Sequence, residues 1–436
     1  MKYFIILMLA FLCTSCIFSK KNNSVFAPSF HPSNPVIIIP GILGTRLKDP
    51  RDGRIVWGKA FDLQAAGLHS VPFGEKKDGL ELPIKFQDFS NNIDHLVPDG
   101  ILDRFTVIPN VLSVKVYDKL LKSLKACGYR PGLIQKCTAG ENVFVFYYDW
   151  RRDMVEHAEA LHARIQYLKK VNGNPNLKID LIAHSMGCLV VKYYLLYGGK
   201  DVLGQDSLPE PSFEGAKHIR RVVFVAPPFD GSTMALKYLH TGYKVGFQKI
   251  SPQALFTMPS IFQLLPRQIR FLNDQGKPEP FDIYNPESWR EMGLSVFSEE
   301  KQDQFLEECK KIFPEDWEQR SILVHDQTEV YLNRALDRAA RLHKALDYSD
   351  AHTPYLILAS NSSPTTDAVT VKKKGGEYEL IFNHSSGMKP GDQTVLLESS
   401  LYGLRNETQY KIFPGIHDKL PSEPAVMKEM IRFLSQ

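Results

Sequence analysis

A strand pattern over 177–183, apolar at Ile179, Leu181 and Ile182, breaks at His184-Ser185-Met186-Gly187, and apolar residues resume over 189–197 with helical spacing. Few folds accommodate that order. A strand that becomes a helix within two residues must bend sharply, and a serine at the apex stands clear of both elements. The bend tolerates only small residues two before and two after the serine, and Ala183 and Gly187 occupy those places. Ala183-His184-Ser185-Met186-Gly187 therefore reads as a nucleophile elbow, with Ala for the usual first glycine, and Ser185 as the candidate nucleophile.

The rest of the chain agrees. Short apolar runs at 35–40 (PVIIIP), 143–148, 219–226 and 354–359 read as strands. Amphipathic patterns at 111–127, 158–171 and 189–197 read as helices. Strands alternating with helices predict an α/β fold, with a mainly parallel sheet flanked by helices on both faces. Between about 232 and 345 the strand pattern disappears, leaving aromatics, prolines and helical segments near 299–312 and 324–346. A long insertion of this kind between core strands predicts a cap over a site. A second irregular stretch, 44–110, follows the first strand.

Serine is a weak nucleophile until a base takes its proton, and the base needs an acid to orient it. With a serine elbow the acid comes next in the chain and the histidine last. His417, in Pro414-Gly415-Ile416-His417 before the last helix, is the expected base. His384 precedes the acid candidate, and His343 and His352 lie in or near the insertion. Asp392, in Gly391-Asp392-Gln393-Thr394-Val395, is the expected acid, with Asp367 as its rival. An oxyanion hole needs two backbone N–H donors. Met186 is placed to supply one, and the glycine loop Pro40-Gly41-Ile42-Leu43-Gly44 the other. No metal or cofactor is expected, because no ligand set has zinc-site spacing.

The net charge of +4 on 436 residues is small and the basic residues are scattered, which excludes nucleic acid as a partner. Lys372, Lys373 and Lys374 before Gly375-Gly376 read as a hairpin turn. The N-terminus has a different logic. Lys2, an apolar run over 3–12 too short to span a bilayer, and then Thr14-Ser15-Cys16 resemble a bacterial lipoprotein signal. That predicts 1–16 as a signal with Cys16 lipidated, 17–34 as a linker, and an exported, membrane-anchored or secreted chain. Cys127, Cys137, Cys188 and Cys309 then face an oxidising compartment; Cys127 and Cys137 flank a turn and could close a small loop, or all four could be packed thiols.

Several islands between 35 and 434 resemble one family, the lecithin–cholesterol acyltransferases and lysosomal phospholipases A2. They are PVIIIPGILGTRL at the first strand, Tyr148-Asp149-Trp150-Arg151, the elbow, Ala226-Pro227-Pro228-Phe229-Asp230-Gly231-Ser232, and Gly391-Asp392-Gln393-Thr394-Val395. The resemblance implies an α/β-hydrolase with a cap and a small membrane-binding subdomain within 44–110, acting on acyl esters of phospholipids. It implies Ser185, Asp392 and His417 as the triad, and Leu43 with Met186 as the oxyanion donors. It suggests Trp57, and with it Phe61, as membrane-binding aromatics. Gln393 departs from the family's glycine at that place, and the surroundings of His417 match poorly. The expected partners are a lipid substrate and a membrane surface. A triacylglycerol lipase, a soluble carboxylesterase, or a surface-anchored binding protein on a degenerate hydrolase scaffold are the alternatives.

Overall fold

The computed structural model describes residues 34–58, 79–84, 94–101, 105–108, 112–114, 117–245, 248–348, 352–403 and 409–436. Cys16 and Phe61 lie outside the described residues. Six strands form the central sheet: β1 (Val36–Ile39), β2 (Val143–Val145), β3 (Ile179–His184), β4 (Ile219–Val225), β5 (Tyr355–Ala359) and β6 (Tyr410–Ile412). They lie in the order β6-β5-β4-β3-β1-β2, and every neighbouring pair is parallel. This is the α/β-hydrolase architecture.

The strands alternate between two cores because successive side chains point to opposite faces of a sheet. Val36 and Ile38 join one core with Leu120 and Leu124 of α1 (Asp118–Ala126). Ile37 and Ile39 join the other with Leu161 and Ile165 of α2 (Met154–Val171), and with Leu189 and Val190 of α3 (Met186–Tyr197). Burial on both faces is why PVIIIP is an unbroken apolar run rather than an alternating one. Each fully buried aliphatic side chain contributes about 2 kcal/mol from solvent exclusion.

The structure corrects three expectations and decides a fourth that was open. Residues 112–114 form a strand, so α1 begins at Asp118; β-branched Val114 favours extended backbone. The stretch 44–110 is not simply irregular, since Thr45–Lys48 pairs with Ile55–Trp57 and with Val97–Ile101 in a three-stranded antiparallel sheet. The insertion after β4 contains the expected helix Glu299–Ile312 and a second at Trp317–Ala345, which starts ahead of the expected 324–346. It also contains short strands at Tyr243–Val245, Gln248–Ile250 and Arg270–Leu272, each only three residues long and so without a readable period. Of the two readings of the cysteines, packed thiols hold and a Cys127–Cys137 loop does not. Cys127 and Cys137 belong to opposite cores, and all four described cysteines are buried free thiols. The hairpin at Gly375-Gly376 forms as expected, both glycines taking positive φ.

Candidate active site

β3 delivers Ser185 to the C-terminal edge of the sheet, where α3 begins. Ser185 has φ 54° and ψ −128°, a region that costs a non-glycine residue about 1–3 kcal/mol and persists only when the surroundings enforce it. The enforcement is backbone packing. A Cβ on Gly187 would stand 2.6 Å from the Pro40 carbonyl oxygen, and one on Gly41 would stand 2.7 Å from the Ser185 Cβ. The end of β1 and the elbow therefore touch with no room for side chains between them.

His417 lies just after β6. Its Nε2 is 2.7 Å from the Ser185 Oγ, and its Nδ1 is 2.8 Å from the Asp392 Oδ2. The other carboxylate oxygen, Oδ1, accepts the amides of Val395 at 2.7 Å and Thr394 at 3.0 Å. The backbone adds a further tie, His417 N donating to Asp392 O at 3.0 Å. All three side chains are buried. Asp367 is elsewhere: it pairs with Arg270 and lies 3.3 Å from the Lys389 Nζ. His343 is held by the Leu265 carbonyl at 2.7 Å, and His352 packs against Phe213.

The loop over 40–45 faces the serine, and four side chains staple it. The Tyr148 hydroxyl donates to Pro40 O at 2.5 Å, and the Trp150 indole donates to Thr45 O at 3.0 Å. The Gly41 amide donates to the Tyr117 hydroxyl at 3.0 Å, and the Trp57 indole donates to Leu43 O at 2.9 Å. Leu43 itself takes φ 63°. The amides of Leu43 and Met186 carry no hydrogen bond to another group among the described residues. Two free donors beside a buried serine are what an oxyanion needs.

Tyr117 and His184 complete a second layer. Because the Tyr117 oxygen accepts from Gly41 N, its proton goes to the His184 Nδ1, 2.8 Å away; His184 Nε2–H then donates to His417 O at 3.2 Å. Burial pushes His184 down to about 3, so it is a neutral strut between the loop and the histidine backbone. Beside this machinery lies a cavity of about 190 Å³, walled by Met234, Leu255, Ile261 and Leu264 among others.

Residues 104–375, more than half of the chain, match the sequence pattern that defines the Lecithin:cholesterol acyltransferase family. The chain belongs to that family. It is 25% identical to the human "Lysosomal phospholipase A and acyltransferase" over 235 residues, which are 49% of this chain and 50% of the relative. It is 27% identical to an uncharacterized protein of Saccharomyces cerevisiae over 285 residues, 64% of this chain and 36% of that one. The chain thus spans half or less of the length of these curated relatives. Among solved structures it resembles a chain of the Tle4–Tli4 complex, with a TM-score of 0.55 at 14% identity, over 92% of this chain and 98% of the other. That likeness supports the fold.

Within the family frame, the structure explains several residues and moves one. Tyr148-Asp149-Trp150-Arg151 is a scaffold. Its two aromatic residues fix both ends of the 40–45 loop, while fully buried Arg151 is clamped by Asp149 and Asp94, each bridging at 2.7 Å. Gln393 stands at the family's glycine position and adopts φ 80°, which is why glycine suits that place. Trp57, expected at a membrane surface, is 2% exposed and sits edge-on to Trp150 with centroids 5.6 Å apart. Its indole N–H is spent on Leu43 O, so its place is the core behind the loop. Sequence reading missed the Tyr117, Tyr148 and His184 contacts. His184 was visible inside the elbow motif, but no local signal marks a partner 67 positions away.

Burial opposes charge on His417, yet the Asp392 carboxylate, through its field and its hydrogen bond, and to a lesser degree Asp418, hold its pKa above the ordinary 6.5. Burial likewise opposes charge on Asp392, but His417 and the Val395 and Thr394 amides, which all bond its carboxylate, together outweigh it, so its pKa is lowered. Only neutral His417 can take the Ser185 proton. Activity should therefore fall as pH drops through a value above 6.5, measured as the acid limb of kcat/KM. Asp392→Asn should move that limb to lower pH as well as lowering its plateau. A limb at or below pH 6.5 in the unaltered protein would contradict this electrostatic reading.

Proposed function

We propose that this protein is a serine-dependent acyl-ester hydrolase or acyltransferase acting on phospholipids or related lipid esters. The observation that carries the reading is the Asp392–His417–Ser185 chain of hydrogen bonds opening on an apolar cavity. Ser185 Oγ attacks the ester carbonyl while its proton passes to His417 Nε2. The amides of Leu43 and Met186 receive the developing oxyanion, and Asp392 stabilises the imidazolium. His417 then gives the proton to the leaving alcohol, and an acyl group remains on Ser185. Water, activated by His417, releases it as a carboxylic acid; an acceptor alcohol releases it as a new ester. Family membership and the name of the human relative support a lipid ester as substrate. An apolar substrate lives in a membrane, and lipidated Cys16 with the 17–34 linker would hold the enzyme there.

A fluorophosphonate probe tests the first half of the reading: it should label Ser185 in the wild-type protein and lose its target in Ser185→Ala. Phospholipid vesicles test the second half, with lipid mass spectrometry reading free fatty acid and any transacylated alcohol. An unlabelled serine would favour a binding protein on a hydrolase scaffold. Turnover of soluble short-chain esters without turnover of vesicles would favour a soluble carboxylesterase.

A further inference from the structure

The cavity beside Ser185 has an uneven charge. Most of its wall is apolar or hydroxylic, and among the described residues no lysine or arginine lines it. His184 in that wall is neutral, with its pKa pushed down to about 3. Among the described residues the one carboxylate in the wall is Asp418, the residue after His417. Unlike Asp392, whose oxygens are committed to His417 and two amides, Asp418 has no hydrogen-bond or ion-pair partner among the described residues and is exposed. Its neighbour Lys419 is exposed and is not part of the wall.

The field of Asp418 reaches into the cavity. It acts on His417 and Tyr117 at the catalytic end, and on Tyr238 and Tyr243 along the wall. Those last two rings meet edge to face, with centroids 4.9 Å apart. A carboxylate sharing a cavity wall with tyrosine rings suits an ammonium group, since the carboxylate attracts a cation and so does the face of a ring. Position decides which half of the substrate feels it. The leaving oxygen must lie against His417 Nε2 to receive its proton, and Asp418 is the adjoining residue. The apolar wall of Met234, Leu255, Ile261 and Leu264 is left for the acyl chain.

We infer that Asp418 is a specificity residue, favouring esters whose leaving alcohol carries an ammonium group over neutral or anionic alcohols. This rests on the hydrolase reading above and goes further, to the class of alcohol released. Because Asp418 is exposed, solvent and salt screen it, and the preference should be moderate, on the order of three- to tenfold in kcat/KM.

The test separates charge from shape by comparing butyrylcholine with its neutral isostere, 3,3-dimethylbutyl butyrate. The wild-type protein should favour the choline ester roughly three- to tenfold at low salt, with the preference shrinking as salt rises. Asp418→Asn should bring the ratio to about one, and Asp418→Glu should retain most of it. A wild-type ratio of one or less overturns the inference, as does a preference that survives in Asp418→Asn; in either case the hydrolase reading stands. If the wild-type protein cleaves neither ester and Ser185 resists the fluorophosphonate, the hydrolase reading itself fails and takes the inference with it.

Discussion

Ser185→Ala should leave the protein folded and remove its ester-cleaving activity, with a fall of roughly four to six orders of magnitude in kcat. On the proposed mechanism the size follows from covalent catalysis: without the Ser185 hydroxyl no acyl-enzyme forms, and the residual rate would come only from the two amides and from binding. The fold should survive, because the side chain lost is one hydroxyl whose bonded partner is His417. Alanine keeps the Cβ and the same backbone strain, and one lost hydrogen bond is worth about 1 kcal/mol, so the melting temperature should move by only a few degrees. A Ser185→Ala protein retaining a tenth of wild-type turnover on a chromogenic ester would remove Ser185 from the mechanism.

Asp392→Asn should lower kcat by about four orders of magnitude, whereas Asp367→Asn should leave it within about twofold. Asn at 392 keeps the shape but offers Nδ1 of His417 an amide that can donate, which favours the wrong imidazole tautomer and leaves the imidazolium without its counter-charge. Asp367 has no such task. It is paired with Arg270, whose side chain is 55% exposed, and Lys389 lies nearby at 41% exposure. Ion pairs with an exposed partner are worth about 0–1 kcal/mol, so its loss should register weakly in thermal stability. Parallel kinetics on the two variants decide the matter; greater damage from Asp367→Asn would reverse the assignment of the acid.

Some of this was legible in the sequence because it is local. The spacing of small residues around Ser185 is a requirement of one turn, and the chain displays it within five positions. PVIIIP announces a strand buried on both faces because each of its residues is apolar, whichever way it points. Helices Glu299–Ile312 and Trp317–Ala345 were visible because they are long enough for a 3.6-residue period to repeat. The three-residue strands inside the same insertion repeat no period, and so were read as coil.

Trp57 shows the limit most plainly. From the sequence it is an aromatic residue in a loop-rich segment, and both a membrane surface and a core satisfy that description. The choice belongs to Leu43, whose carbonyl takes the indole N–H, and to Trp150, whose ring covers it. Neither contact leaves a mark at position 57. The same holds for the acid: Asp392 and Asp367 each follow a strand, and only the closure of the sheet's β6 edge carries His417 to one of them.

By itself, then, the sequence determined an α/β chain with a serine elbow, and the kinds of side chain able to activate it, because turns, strands and helices impose their demands over a few neighbouring residues. The tertiary structure decided the rest: which carboxylate meets His417, that four aromatic residues staple the 40–45 loop, and that Asp418 is the single acid in the cavity wall among the described residues. Those facts depend on pairs of residues far apart in the chain, brought within hydrogen-bonding reach by the packing of two cores against one sheet. Hydrogen bonds and packing contacts act at distances of a few ångströms in space, and separation along the chain does not record them.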